Sequence, residues 1–357
     1  MRKKIGRILV GLLGILLLYL LLWPVPIDPA AWTPPTLPPM TGVYEPNDRL
    51  AHVERMGKGM GVGPEDVAFD EEGRLYTGLL DGRVVRFNDD GTDPEVFVET
   101  GGRPLGMVFD ASGNVIVADA WKGLLSISPE GDIKVLANEV KREPIVFADD
   151  LDIAADGTIY FTDASKKFPL DKLMLDLMEH RPNGRLLAYD PHSASTRMVL
   201  DDLYFANGVA ISPDQTFVLI NETWKYRVKR YWLEGPKKGQ TDIFIENLPG
   251  FPDNITCNGQ DTFWLALVEG PPTREIFDPL LPHPFLRKIL TRLPEVVGPS
   301  RTPYGFALGL DMNGQVIQNL QDPTGEHYSE VTSVTEHDGM LYFGSLSEDA
   351  IGRVAVP

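Results

Sequence analysis

Oxygen-bearing side chains recur at one position of a repeated sequence pattern. Glu65, Asn207 and Asp253 each stand directly before a short alternating apolar segment that ends in an Asp-, Asn- or Gly-containing turn. Asp149 and Leu105 occupy the same position in two further copies. Carboxylate and amide oxygens without His or thiolate suit Ca²⁺, which can polarise a carbonyl and acidify water. The spacing predicts one hard-cation site. The alternative is that Asn207 and Asp253 form turns and Glu65 caps a strand.

The turn after each apolar segment defines the register of these positions. Glu65 lies eight residues before Gly73, and Asp149 lies eight residues before Gly157. Asp253 lies only six residues before its turn glycine, which predicts a shorter strand or a bulge in that copy.

The repeated pattern predicts an all-β fold. Its copies are residues 66–77, 106–118, 150–162, 208–220, 254–267 and 331–344. Short strands separated by turns, in units of about 40–50 residues, are typical of propeller blades. We therefore predict a six-bladed β-propeller with an N-terminal transmembrane helix. Each inner strand brings one residue to the central axis, and the segment before Glu65 closes the ring.

Residues 48–357 are predicted to form the propeller as one domain, with insertions at residues 166–182 and 270–303. Residues 170–180 and 285–293 have apolar residues at helical spacing. We expect these two pieces to form a lid over one end of the central channel.

The first 26 residues have the composition of a membrane anchor. Four basic residues precede an apolar run from Ile8 to Trp23, and no small-residue cleavage motif follows. The run is near the short limit for a membrane span, about 17 residues. The basic flank predicts a cytoplasmic N-terminus and a periplasmic or extracellular propeller. We expect a retained anchor, with a cleaved signal peptide as the alternative. Residues 27–47 are proline-rich and predict a semi-rigid linker.

Composition and missing motifs exclude several classes of partner and of enzyme. The net charge of −18 disfavours nucleic acid and anionic lipid as electrostatic partners of the body. The single cysteine, Cys257, excludes an internal disulfide and is expected to fill apolar space. The chain lacks a Gly-x-Ser-x-Gly elbow, a His-Glu-x-x-His motif, a Walker loop and a Cys/His cluster.

Four motifs carry a resemblance to a known family. They are GPED at residues 63–66, YFTD at 160–163, NGVAISPD at 207–214 and LPGFPDNI at 248–255. Over residues 50–357 the chain resembles the strictosidine synthase-like proteins, and within them the adipocyte plasma membrane-associated group. The wider superfamily includes gluconolactonase and paraoxonase.

The resemblance implies a six-bladed propeller with a catalytic Ca²⁺ in its channel. The implied metal ligands are Glu65, Asn207 and Asp253, with Asp149 at a further ligand position. Asp253 is also the implied general base or nucleophile, and Asp150 and Asn254 are implied substrate contacts. The paraoxonase histidine dyad has no clear match here.

Three functions follow as hypotheses. The first is a membrane-anchored, Ca²⁺-dependent hydrolase of a small-molecule lactone or aryl ester. The second is a non-catalytic binding propeller with a structural Ca²⁺. The third is a lyase of the strictosidine synthase type, which uses a glutamate without metal. Residues 325–330 are similar to that region of strictosidine synthase. The filled metal-ligand positions favour the first hypothesis.

Overall fold

The fold is a ring of six four-stranded antiparallel sheets, as predicted. The structure is a computed structural model and describes residues 2–88, 91–294 and 300–357. Blade 1 comprises β2 (Val67–Phe69), β3 (Leu75–Gly78), β4 (Arg83–Arg86) and β5 (Glu95–Glu99). Blade 2 comprises β6 (Pro104–Phe109), β7 (Val115–Asp119), β8 (Gly123–Ile127) and β9 (Ile133–Ala137), and the hairpin β10 (Glu139–Val140) and β11 (Glu143–Pro144) follows it.

The remaining blades repeat this order from the axis outward. Blade 3 comprises β12 (Ala148–Ile153), β13 (Ile159–Asp163), β14 (Gly184–Asp190) and β15 (Ser195–Leu203). Blade 4 comprises β16 (Ala206–Ile211), β17 (Phe217–Glu222), β18 (Arg227–Trp232) and β19 (Thr241–Ile245). Blade 5 comprises β20 (Phe251–Cys257), β21 (Phe263–Glu269), β22 (Gly305–Leu310) and β23 (Val316–Asp322).

Blade 6 closes the ring with a strand from the other end of the chain. It comprises β24 (Val331–His337), β25 (Met340–Ser345), β26 (Ile351–Ala355) and the N-terminal β1 (Glu54–Met56) as its outermost strand. Glu54 pairs with Arg353 in the ladder, and their side chains form an ion pair of 2.7 Å. The segment before Glu65 therefore supplies the closing strand, as the sequence predicted.

The inner strands share a bulge at one point. The ladder between the first and second strands shifts register between residues 104 and 107, 148 and 151, 206 and 209, 252 and 255, and 331 and 334. A bulge re-aims side chains that would otherwise alternate between the two faces of a strand. The sequence predicted a bulge in blade 5 only, yet it recurs in five blades.

Buried carboxylates one residue beyond the predicted axial positions join neighbouring blades. Asp150 accepts the backbone N–H of Leu151 at 2.8 Å and that of Val209, in the next blade, at 2.8 Å. Asp66 accepts the N–H of Met107 in the same way at 2.9 Å. These hydrogen bonds satisfy N–H groups that the bulges remove from the ladder.

Three short helices lie over one end of the channel. They are α2 (Leu173–Glu179), α3 (Pro271–Phe277) and α4 (Pro284–Leu290). The buried Asp176 accepts hydrogen bonds from Ser165 Oγ at 2.6 Å and Trp224 Nε1 at 2.9 Å, which fixes α2 on blades 3 and 4. Arg287 of α4 donates to the carbonyl of Met178 at 2.8 Å, so α2 and α4 are joined.

Residues 27–36 lie along these helices as a strap. Ala30 N–H donates to the carbonyl of Glu179 at 2.9 Å, and Trp32 N–H donates to that of Leu281 at 3.2 Å. The Trp32 ring stacks on His180 with centroids 4.5 Å apart. The proline-rich segment is extended, but this part of it packs on the propeller instead of standing free as a spacer.

The N-terminal helix α1 spans Arg2–Leu22. Its segment Lys4–Leu22 is long and apolar enough to cross a membrane, and no side chain in its apolar window is buried. A secretory signal sequence would satisfy the same criteria.

Candidate functional site

A cavity of about 170 Å³ lies at the lid end of the channel. All five predicted axial residues line it: Glu65, Leu105, Asp149, Asn207 and Asp253. Each stands at a bulge or, in the case of Glu65, two residues before the first residue of the inner strand β2. The repeat therefore brings these side chains to one place, as the sequence predicted.

The polar residues among these five are buried. Glu65, Asp149, Asn207 and Asp253 are each no more than 5% exposed. Burial, and then the charge of Glu65, raises the pKa of Asp149 and that of Asp253 well above the ordinary value. Burial also raises the pKa of Glu65 to about 7, although the Arg103 guanidinium opposes that rise.

Arg103 is the cation that the sequence interpretation missed. It is 2% exposed, and its Nη2 lies 2.9 Å from Glu65 Oε2. Its Nη1 donates to the carbonyl of Gly63 at 2.9 Å. Arg103 pairs with one of the three buried carboxylates, so about two negative charges have no counter-charge within this set when all three are ionised. One divalent cation would balance them.

The donor atoms fit a hard cation. Asn207 Oδ1 is buried and accepts no hydrogen bond from any residue that the structure describes. The side chain of Asn207 also forms a hydrogen bond with Asp253, which lowers the pKa of that carboxyl. An oriented, unpartnered amide oxygen among carboxylates is a Ca²⁺ donor set.

The set is not a closed ligand cluster in this conformation. Among residues 2–88, 91–294 and 300–357, no three His, Cys, Asp or Glu side chains are close enough together to share one ion. Glu65 is held by Arg103. Donor type, charge and burial therefore fit Ca²⁺, whereas a shared ligand geometry requires side-chain movement.

A second buried glutamate faces the cavity. Glu269, at the end of β21, is 4% exposed and accepts a hydrogen bond from Thr273 Oγ1 of α3 at 2.9 Å. Arg301 Nε lies 3.2 Å from Glu269 Oε1. Burial raises the pKa of Glu269 to about 7, although Arg301 opposes the rise.

Glu269 occupies a repeated position whose other members have a structural role. Asp119, Asp163 and Glu222 end the second strands of other blades. Those three carboxylates accept backbone N–H groups of preceding loops, for example Arg103 N at 3.0 Å from Asp119 and Tyr204 N at 3.0 Å from Glu222. No such hydrogen bond to Glu269 occurs in the described part of the chain.

Most of the remaining cavity wall is apolar, with Thr223, Thr273 and Arg301 as its polar members. The aromatic and aliphatic side chains that form it are Leu80, Phe147, Leu170, Leu173, Met174, Leu177, Phe205, Trp224, Phe251, Val268, Phe277 and Leu346. Such a wall over a charged floor binds a neutral, mostly apolar molecule with one polar group.

Asp150 and Asn254, the two implied substrate contacts, lie below the floor of the lid-end cavity and do not line it. Asp150 lines a second cavity of about 290 Å³ at the opposite end of the channel, where its carboxylate joins two blades. Asn254 is 1% exposed, and its amide has no hydrogen-bond partner among the described residues. Neither residue lines the lid-end cavity.

Cys257 and the histidines do not supply a nucleophile or base to the lid-end cavity. Cys257 is half-buried in the opposite cavity, and burial raises its thiol pKa to about 11. His180 lies outside the lid-end cavity, where burial lowers its pKa to about 2.

Comparison with known proteins identifies the family. Residues 149–236 match the family model described as strictosidine synthase, and residues 42–87 match that of the strictosidine synthase-like N-terminal region. Strictosidine synthase-like protein 7 of Arabidopsis thaliana is 38% identical over 337 residues, 92% of this chain and 88% of that protein. The chain belongs to the strictosidine synthase-like family. The adipocyte plasma membrane-associated protein of Bos taurus is 35% identical over 349 residues, covering 92% of this chain and 84% of that one.

Solved structures share the fold of this strictosidine synthase-like protein. A gluconolactonase from Xanthomonas campestris superposes with a TM-score of 0.62 at 17% identity, covering 87% of this chain and 91% of that one. A calcium-binding protein, regucalcin, from Agrobacterium tumefaciens gives a TM-score of 0.59 at 13% identity over 85% and 91% of the two chains. At these identities the likeness establishes the propeller fold alone.

Proposed function

We propose that this protein is a membrane-anchored, Ca²⁺-dependent hydrolase of lactones or aryl esters. One observation carries the proposal. Three buried carboxylates and an unpartnered amide oxygen line the floor of an apolar cavity, and Arg103 is the cation that pairs with one of those carboxylates. Glu65, Asp149, Asn207 and Asp253 would hold the ion. When bound, Ca²⁺ supplies a positive charge that polarises a substrate carbonyl. The gluconolactonase and regucalcin folds support this reading.

The residues of the chain divide the remaining work. The apolar wall binds the body of a neutral ester and excludes water from it. Asp253, as general base, takes a proton from water whose oxygen attacks the carbonyl carbon. The bond from that carbon to the alcohol oxygen then breaks, and the alcohol oxygen takes up a proton. As nucleophile, Asp253 would instead form an acyl intermediate that water hydrolyses.

Glu269 is suited to supply the proton for the leaving alcohol. It lines the same cavity as Asp253, and with a pKa of about 7 it retains a proton over much of the neutral range. A carboxyl with a pKa near the working pH is an efficient general acid.

The proposal includes the placement of the protein in the membrane. We take α1 as a retained anchor with its basic end in the cytoplasm and the propeller outside. The relative from Bos taurus is named as a plasma membrane-associated protein, which supports membrane association.

Two other functions keep specific support. The apolar cavity wall favours a non-catalytic binding propeller, whereas the ion pair of Glu65 with Arg103, without a closed ligand cluster among the described residues, favours a site without metal. The family and the buried Glu269 favour a metal-free lyase of the strictosidine synthase type. The stretch at residues 325–330 is weaker support, because Glu326 is exposed and outside the cavity.

The deciding experiment is a panel of lactones and phenyl acetate, assayed on the full chain with Ca²⁺ and with chelator. We expect Ca²⁺-dependent hydrolysis, and Asp253→Asn should lower turnover by at least about 10²-fold. Asp152→Asn is the matched control, because Asp152 faces the opposite cavity and accepts the N–H of Ile211 at 2.7 Å. Hydrolysis that the chelator leaves unchanged would contradict the proposed mechanism. Ca²⁺ binding without hydrolysis of any substrate would favour the binding propeller.

A further inference from the structure

The end of α1 is attached to the lid. Arg292, two residues after the end of α4, donates from Nη1 to the carbonyl of Leu20 at 2.9 Å and from Nε to that of Trp23 at 2.7 Å. Tyr19 Oη donates to the carbonyl of Arg292 at 3.1 Å. These bonds place the outer surface of α4 beside the end of the apolar helix.

The outer surface of α4 is apolar and exposed. Phe285 is 61% exposed and Leu286 is 38% exposed, on adjacent positions of the first turn. Single exposed apolar residues are common on protein surfaces. Two adjacent ones on a helix beside a candidate membrane span form an apolar patch that a membrane surface could cover.

The charge of this segment differs from that of the body. The four cations of the first 26 residues leave −22 for the remainder of the chain. Residues 281–294 nevertheless contain three basic residues and no acidic one. Lys288 is 38% exposed, with its Nζ 4.0 Å from Asp28 Oδ1. The Arg292 guanidinium donates to backbone carbonyls of α1 and α4, and Arg287 is buried against α2. A partly exposed cation beside apolar side chains fits a surface of anionic lipid headgroups.

Two aromatic rings at the end of α1 indicate where the boundary between lipid tails and headgroups would lie. Tyr19 and Trp23 lie with centroids 5.8 Å apart at the end of α1, and Trp23 is 61% exposed. Tyr and Trp concentrate at the boundary between lipid tails and headgroups. Arg292 is hydrogen-bonded to both of these residues, so α4 lies at the same level.

We propose that the lid face, defined as residues 281–294, lies in the headgroup region of the membrane leaflet from which α1 emerges. Phe285 and Leu286 insert toward the lipid tails, and Lys288 contacts lipid phosphates. Met174 of α2 is 37% exposed and also lines the lid-end cavity, so that cavity opens near this face. The surface proposal rests on α1 as an anchor and is independent of the reaction catalysed.

The test uses the full chain in vesicles of equal parts phosphatidylcholine and phosphatidylglycerol. With Cys257 replaced by Ser, an environment-sensitive fluorophore is attached to Phe285→Cys and, in a second variant, to Leu286→Cys. The control is Ser112→Cys, an exposed turn residue at the opposite end of the propeller. Nitroxide-bearing lipids quench probes in the interface, and iodide quenches probes in water.

We expect both lid probes to be blue-shifted, quenched by the nitroxide lipids and protected from iodide, with the reverse result for residue 112. Lid probes that iodide quenches as strongly as the control would overturn the proposal. Lid probes that are protected from iodide yet unaffected by nitroxide lipids would assign the face to a protein contact and would overturn it equally. Loss of hydrolytic activity would not bear on either result.

Discussion

Glu269→Gln is predicted to stabilise the metal-free protein above neutral pH. The rise of the Glu269 pKa from 4.5 to about 7 corresponds to roughly 3 kcal/mol, at ~1.4 kcal/mol for each pH unit. The native state holds this proton more tightly than the unfolded chain, so this contribution is full below about pH 4.5 and is lost as the pH rises through about 7. That raised pKa already includes the opposing attraction of the half-exposed Arg301. The expected gain is therefore roughly 3 kcal/mol near pH ~8 and little near pH ~4.

Chemical denaturation with chelator present, repeated across this pH range, measures the difference. Glu222→Gln is the matched control, because Glu222 ends the equivalent strand of blade 4 but accepts Tyr204 N–H at 3.0 Å and pairs with Arg227 at 2.6 Å. That variant should lose stability near neutral pH. If Glu269→Gln also destabilises the protein near pH ~8, the carboxylate is ionised and stabilised by Arg301, and the assignment of Glu269 as a proton donor is refuted.

Three further predictions concern the bulges, the strap and the anchor. Gly208→Ala should lower the free energy of unfolding, measured by denaturant titration, by at least about 3 kcal/mol, because the added Cβ would lie 2.5 Å from the carbonyl oxygen of Asp253. An unchanged free energy of unfolding would contradict the tight contact between these blades. Trp32→Ala should lower the melting temperature and speed proteolysis of the lid by removing the stack on His180, whereas Trp121→Ala, at an exposed ring, should change neither. The propeller should be cleaved by protease added to intact cells once any outer envelope is permeable, with α1 still attached; a mature chain that begins near residue 28 would show a cleaved signal.

The blade register could be predicted from the sequence because a propeller is a rotational repeat. Equivalent residues such as Glu65, Asn207 and Asp253 reach one axis whatever their long-range contacts are. The alternating pattern and the turn residues were sufficient to place them. The recurrence of the bulge was not predictable in the same way, because one extra residue leaves the apolar alternation on either side intact.

Arg103 and Glu269 could not be assigned from local pattern. Arg103 forms its ion pair with Glu65, which lies 38 residues earlier in the sequence, and no residue next to Arg103 in the sequence indicates this pairing. Glu269 occupies a position whose equivalents accept backbone N–H groups, so its type alone suggests the same structural role.

The strap shows a related limit. Proline content predicts an extended chain but not the surface on which that chain lies. Trp32 and Ala30 contact the lid through residues far away in the sequence. A chain that begins at residue 41 would lack these contacts, so the assays above use the full chain.

The central claim is that Glu65, Asp149, Asn207 and Asp253 form one Ca²⁺ site, and calorimetric titration of the full chain with Ca²⁺ tests it most directly. We expect one ion per chain, with affinity at least about 10-fold weaker in Asp149→Asn, which removes one of the three buried carboxylates. Asp152→Asn, on the same strand but at the opposite cavity, should bind as the wild type does. The absence of saturable Ca²⁺ binding, or binding that Asp149→Asn leaves unchanged, would contradict the account.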